Sequence, residues 1–134
     1  MLKTYRGSCH CGAVRFEADI DLSQGTSKCN CSICRKSRYW GTLVKPDAFR
    51  LLSDQQQLSD YQFGSKQGHN LFCKSCGLRS FGRGDVPEIG GAFVSINVAC
   101  LDDVSDEELS ALPIRYCNGR DYDWAHEPKE TRYL

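Results

Sequence analysis

Apolar and polar positions alternate most cleanly over residues 14–20, where Val14, Phe16, Ala18 and Ile20 are separated by Arg15, Glu17 and Asp19. That two-residue period belongs to a strand with one buried face. Residues 92–99 repeat the pattern, with Ala92, Val94, Ile96 and Val98 on one side. Residues 39–44 (YWGTLV) are aromatic and β-branched and run into Lys45-Pro46-Asp47, a turn signal. Shorter stretches at 49–52, 58–63 and 114–117 read as further strands, and residues 69–81 carry a cysteine pair between apolar neighbours. Four glycines and Pro87 mark residues 82–91 as an irregular loop. Ser105 to Glu108 has the spacing of a capping box, in which Ser105 accepts from the Glu108 amide and Glu108 reaches back. Leu109 and Leu112 supply the apolar side of a short helix that Pro113 ends. The pattern predicts a mainly β fold with one short helix.

Composition narrows the class. The 134 residues suit a single domain over 1–134, with 40% hydrophobic and 25% charged residues. Seventeen basic side chains balance seventeen acidic ones. That balance argues against broad electrostatic capture of nucleic acid or an acidic membrane. The start, MLKTYRGSCH, has no apolar run of the secretory type, and no stretch approaches the ~18 apolar residues of a membrane span. The expectation is a soluble, cytoplasmic protein.

Cysteine changes the picture most. There are nine, an odd number that suits metal or thiol chemistry better than a disulfide framework. Seven fall into Cys9-His10-Cys11, Cys29-Asn30-Cys31-Ser32-Ile33-Cys34 and Cys73-Lys74-Ser75-Cys76, while Cys100 and Cys117 stand alone. Cys11 and Cys76 are each followed by glycine, which relieves a tight turn with N–H groups aimed at sulfur. Two such pairs supply the four thiolates of a structural zinc site on Cys9, Cys11, Cys73 and Cys76. His10 lies between two ligands and is read as pointing away. A redox dithiol would call for a βαβ context, which the pattern lacks.

Cys29, Cys31 and Cys34 can hold a second zinc from one loop, with an open fourth position. Cys100 or Cys117 could equally close that position, and the sequence does not choose. Three thiolates make zinc a weak Lewis acid that suits an incoming thiol, kept as a nucleophilic thiolate, better than water. Arg35, Lys36 and Arg38 follow at once, as candidates to offset that charge or to hold a carboxylate of an anionic thiol; the alternative is a solvated basic turn. His69 and His126 are weaker acid–base candidates. Tyr39, Trp40, Tyr122 and Trp124 are either pocket walls or packing.

The segments GSCHCGAVRF (Gly7 to Phe16), CNCSICRK (Cys29 to Lys36) and FCKSCG (Phe72 to Gly77) together resemble the glutathione-dependent formaldehyde-activating enzyme family, which also includes centromere protein V. NGRDYDW, from Asn118 to Trp124, is similar to that family's C-terminal segment. The resemblance implies a β-tent fold around zinc. It also implies a structural zinc on Cys9, Cys11, Cys73 and Cys76, and a second zinc on Cys29, Cys31 and Cys34 with an exchangeable position. The activity implied is reversible addition of glutathione to formaldehyde, giving S-hydroxymethylglutathione, a carbon–sulfur lyase chemistry. The rival readings are a non-catalytic zinc module that binds protein or nucleic acid, and a thiol redox or metal-buffering protein.

Overall fold

The clean alternation at 14–20 becomes a strand whose inward side chains are sealed: Val14, Phe16 and Ala18 are fully buried. The computed structural model describes all residues, Met1–Leu134. Its strands are β1 (Lys3–Ser8), β2 (Arg15–Ile20), β3 (Thr26–Cys29), β4 (Trp40–Val44), β5 (Phe49–Leu51), β6 (Leu58–Tyr61), β7 (Gly68–Cys73), β8 (Phe81–Val86), β9 (Gly91–Asn97) and β10 (Ile114–Cys117). Two short helices accompany them, α1 (Ser32–Ser37) and α2 (Asp106–Ser110). The layout is mainly β, a β-tent of short sheets as expected, but with two α-helices where the pattern indicated one. No helix is long and apolar enough to cross a membrane.

Strands β1, β2 and β5 form a three-stranded sheet. The other seven run in the order β10-β3-β4-β9-β8-β7-β6. All pairings are antiparallel except β10 with β3, which is parallel and sets Cys117 beside Cys29. Between the sheets Phe16, Phe49 and Phe81 form an aromatic trio with ring centroids 4.6–5.9 Å apart. Each such ring stabilises the fold by about 1.5–3 kcal/mol through burial alone. Val94, Ile96 and Val98 belong to the same core, while Ala92, expected on the same face, is exposed.

Residues 82–86 correct the loop expectation, because they continue β8. The glycines there serve close packing rather than turning. A Cβ at Gly82 would sit 2.8 Å from the His69 carbonyl oxygen, and one at Gly84 would collide with the Phe93 ring. The turn itself is confined to Pro87–Ile89 and to Gly90 and Gly91, whose φ values of 100° and 91° favour glycine. At α2, Ser105 accepts from the Glu108 amide at 3.1 Å, as expected. The reciprocal half of the box is replaced, since Glu108 Oε1 accepts the Tyr5 hydroxyl at 2.6 Å and so ties α2 to β1.

Candidate metal centres and the adjoining cleft

The β1–β2 turn carries Cys9 and Cys11, and the end of β7 carries Cys73 and Cys76. Folding gathers these four thiols so that their sulfurs all lie within 4.8 Å of one another. The cluster sits where the small sheet meets the large one. Backbone donors aim at the sulfurs: Val14 N–H lies 3.3 Å from Cys9 Sγ, and Ser75 N–H 3.3 Å from Cys73 Sγ. Gly77 (φ 78°) makes the knuckle turn after Cys76. The Cys76 N–H lowers the Cys73 thiol to about 6 against the effect of burial, helped by the Gln57 amide. Cys76 is lowered as well, first by the Cys11 N–H. Four converging sulfurs, two of them biased toward thiolate, fit a thiophilic metal ion such as zinc.

Cys29, Cys31 and Cys34 lie where β3 passes into α1. Cys31 caps the helix and Cys34 is one turn further on, so helical spacing brings both to one side. The Cys31 N–H donates to Cys29 Sγ at 3.4 Å. Cys29 is drawn far below the usual thiol range by Cys31 and then Cys34, aided by the Cys31 and Gly119 N–H groups. Cys34 is pushed up in return, first by Cys29 and then by Cys31. Three cysteines on one short segment are a donor type suited to a thiophilic ion, whereas the group of thiols that the structure itself draws together is the four-cysteine cluster. The segment after β10 wraps this trio. A Cβ at Gly119 would lie 2.7 Å from Cys29 Sγ, so only glycine lets the backbone come so close. Buried Asn30 fastens the wrap: its amide donates to Asn118 Oδ1 at 2.8 Å, and its Oδ1 accepts the Arg120 N–H at 3.0 Å. Sequence reasoning singled out neither Asn30 nor Gly119. The signal available was the NGRDYDW resemblance, which lacked a spatial partner.

The lone cysteines separate. Cys100 is buried, its thiol raised to about 11 by burial and then by Asp102, with Cys9 and Cys76 as its cysteine neighbours. Cys117 is the β-ladder partner of Cys29. Its thiol is raised, by burial first and Cys29 next.

A cleft of about 210 Å³ opens beside the trio, with Cys29 and Cys34 in its wall. Gly41, Gly68 and Gly82, on three strands of the large sheet, hollow its floor by lacking side chains. Tyr39 lines the cleft, its hydroxyl donating to the Ser95 carbonyl at 3.2 Å and accepting from Ser95 Oγ at 3.1 Å. Burial pushes that phenol up to about 12, so it is neutral at pH 7. His69 lines the same space, with Nδ1 2.7 Å from Asp60 Oδ2. The basic residues here are Arg79 and Arg83; Arg35, Lys36 and Arg38 do not line the cleft. Arg38 Nη2 donates to the Leu134 carbonyl at 3.4 Å, and Arg35 lies 5.9 Å from the Tyr133 ring centre. Lys36 is an exposed residue of α1. His126 pairs with Asp123 on the surface. Tyr122 is exposed, whereas Trp124 reaches the Gly119 wrap.

Three similarities bear on this arrangement. The family described as "Glutathione-dependent formaldehyde-activating enzyme" matches residues 4–118. A protein of Halomonas elongata named "Putative glutathione-dependent formaldehyde-activating enzyme" is 55% identical over 78 residues, covering 52% of this chain and 50% of that protein. The chain thus matches about half the length of this curated relative. A crystal structure of a Rhodobacter sphaeroides protein superposes with a TM-score of 0.68 at 27% identity, covering 82% of this chain and 99% of that one. The matched span takes in both cysteine sets and the cleft, and the chain belongs to the glutathione-dependent formaldehyde-activating enzyme family.

Proposed function

We propose that the chain is a single-domain zinc enzyme of carbon–sulfur lyase type, acting on a thiol–aldehyde adduct of the glutathione–formaldehyde kind. The observation that carries this reading is the cleft whose wall includes Cys29 and Cys34, in a member of a family named for glutathione and formaldehyde. In this reading Cys9, Cys11, Cys73 and Cys76 hold a structural zinc, and Cys29, Cys31 and Cys34 hold a second one. Zinc at the trio, when bound, stabilises sulfur in its thiolate form and leaves room for one further ligand.

The chain's own residues supply the rest. The cleft orients the substrate and limits its contact with water. In the forward direction the substrate sulfur adds to the aldehyde carbon, and the carbonyl π pair moves to oxygen. That oxygen takes up the proton the thiol has lost, and the product is an S-hydroxymethyl thioether; the reverse direction breaks the same carbon–sulfur bond. His69, with Nδ1 turned to Asp60, has its Nε2 available to carry the proton. Tyr39, neutral at working pH, offers shape and hydrogen bonds rather than charge.

The test is cobalt substitution followed by titration with glutathione. Two tetrahedral thiolate spectra are expected, of which one responds to the thiol. Cys31→Ser should remove that response and the activity while keeping the fold. Cys73→Ser should instead lower the melting temperature sharply. A Cys31→Ser protein with full activity would defeat the reading.

A further inference from the structure

We propose that the cleft is an anion subsite built on Arg79, which holds a carboxylate of the substrate and so points its sulfur at Cys29 and Cys34. This deepens the proposed function and rests on its thiol substrate. The first observation is charge. The cleft is lined by Arg79, Arg83 and His69 and by no aspartate or glutamate. Neither arginine has a carboxylate within ion-pair distance, although the chain carries seventeen acidic residues. His69 already has its acid in Asp60.

The second observation is the way Arg79 is held. Its guanidinium lies over the Tyr39 ring, 4.0 Å from the centroid, and Nη1 donates to Asn70 Oδ1. Asn70 is itself oriented, because its amide donates to the Tyr61 carbonyl at 2.9 Å. The Asn97 amide fixes the Arg79 main chain through its carbonyl, also at 2.9 Å. Yet Nη2 is shut off from solvent and has no partner. A buried guanidinium nitrogen ordinarily has one. Anchored on one nitrogen, stacked on an aromatic ring and without an acidic partner, Arg79 brings to the cleft it lines a planar cation that a carboxylate matches, and Nη2, covered as it stands, joins such a ligand only when the guanidinium turns.

Tyr39 links Arg79 to the cysteine triad. Its N–H donates to the Cys34 carbonyl at 3.1 Å while its ring carries Arg79. Anion and sulfur therefore settle on either side of one rigid residue. Arg83, lying 5.1 and 5.6 Å from the Phe49 and Phe81 ring centres, adds positive field without competing for the same place.

The test separates the anion from the thiol. S-methylglutathione keeps both carboxylates but has no free thiol; its diamide lacks both features; glutathione diamide keeps the thiol alone. Calorimetric titration of the zinc-loaded protein should show S-methylglutathione binding about tenfold or more tightly than its diamide. Arg79→Gln should erase that preference, and Arg79→Lys should keep part of it. Equal binding of the two thioethers by the unaltered protein overturns the proposal without any variant, as does a preference that survives in Arg79→Gln. If Arg79→Gln fails to fold, the unaltered protein and Arg79→Lys still decide. If S-methylglutathione binds through Arg79 while glutathione diamide leaves the cobalt spectrum unchanged, the subsite stands and the thiol reading falls.

Discussion

Gly119→Ala puts the second cysteine site to its sharpest mechanical test. The added Cβ would lie 2.7 Å from Cys29 Sγ, 2.8 Å from Trp124 Cη2 and 3.2 Å from Cys31 Cβ. Non-bonded heavy atoms rest at about 3.5–4.0 Å, so sulfur and methyl must separate by roughly 0.8 Å or more. The backbone cannot retreat freely. Asn30 accepts the Arg120 N–H on one side of Gly119, and β10 is paired with β3 on the other. Overpacking of this kind costs about 1–3 kcal/mol. A metal site tolerates only about 0.2 Å of error in ligand distance. If the triad holds a zinc as proposed, the variant should bind it about 10–100-fold more weakly, the usual effect of disturbing residues behind a ligand. The four-thiol cluster should stay loaded. The assay is metal stoichiometry after dialysis against a competing chelator, with thermal melts of the metal-free protein as a second readout. Gly12→Ala is the matched control on the other side, because Gly12 has φ 82° but open space around its Cβ direction. It should cost about 1–2 kcal/mol through backbone strain alone. Two metals retained by Gly119→Ala, an unchanged cobalt spectrum and an unchanged melt would refute the wrap.

Two further outcomes are expected. Asn30→Ala leaves Asn118 and the Arg120 N–H without their buried partner, and should destabilise by about 1–3 kcal/mol while loosening the triad loop; urea unfolding with zinc present measures it, and an unaltered midpoint would remove Asn30 from the argument. The second concerns acid. Hydrogen bonds from Arg50, and then Thr4, hold the Asp19 carboxyl down at about 2. The native state thus takes up that proton less readily than the unfolded chain. Stability from this group is present above the ordinary carboxylate range near 3.8 and fades as pH falls from there to about 2. Arg50→Gln should lower stability at neutral pH and flatten the acid limb, and a limb of unchanged slope would show that Arg50 does not set it.

What the sequence disclosed follows physical lines. The strands at 14–20 and 92–99 were legible because one face is buried and one is not. Val14, Phe16 and Ala18, and likewise Val94, Ile96 and Val98, are all fully buried. β1 escaped because only Tyr5 and Gly7 face inward along its six residues. β3 escaped because Thr26 is its one buried residue. β8 was misread because glycine was taken as a turn former, whereas here it makes room for the Phe93 ring. The four-thiol cluster was legible because CHCG and CKSCG encode their local geometry in the spacing itself. The partners of the triad, Asn30 and Gly119, were not, because their role exists only once β10 lies beside β3.

The arginines show why adjacency in sequence is a poor guide to the charge of a site. Arg35, Lys36 and Arg38 follow the triad directly, but they belong to a helix and its left-handed C-cap (Arg38, φ 50°), and none of the three lines the cleft, although the next residue, Tyr39, does. Arg38 is spent on the Leu134 carbonyl. Arg79 comes instead from the far cysteine pair, carried in between Cys76 and β8. A zero net charge hides this separation, because it averages over the whole surface. The acids Asp102, Asp103, Asp106, Glu107 and Glu108 crowd around α2, and Asp103 and Glu108 are engaged with the Arg6 amide and the Tyr5 hydroxyl. The cleft keeps its cations without acids in its lining. Electrostatic recognition works over about a Debye length, ~8 Å in physiological salt. A small anion therefore meets the local arginines rather than the global balance, and a chain of zero net charge is still built to hold a carboxylate.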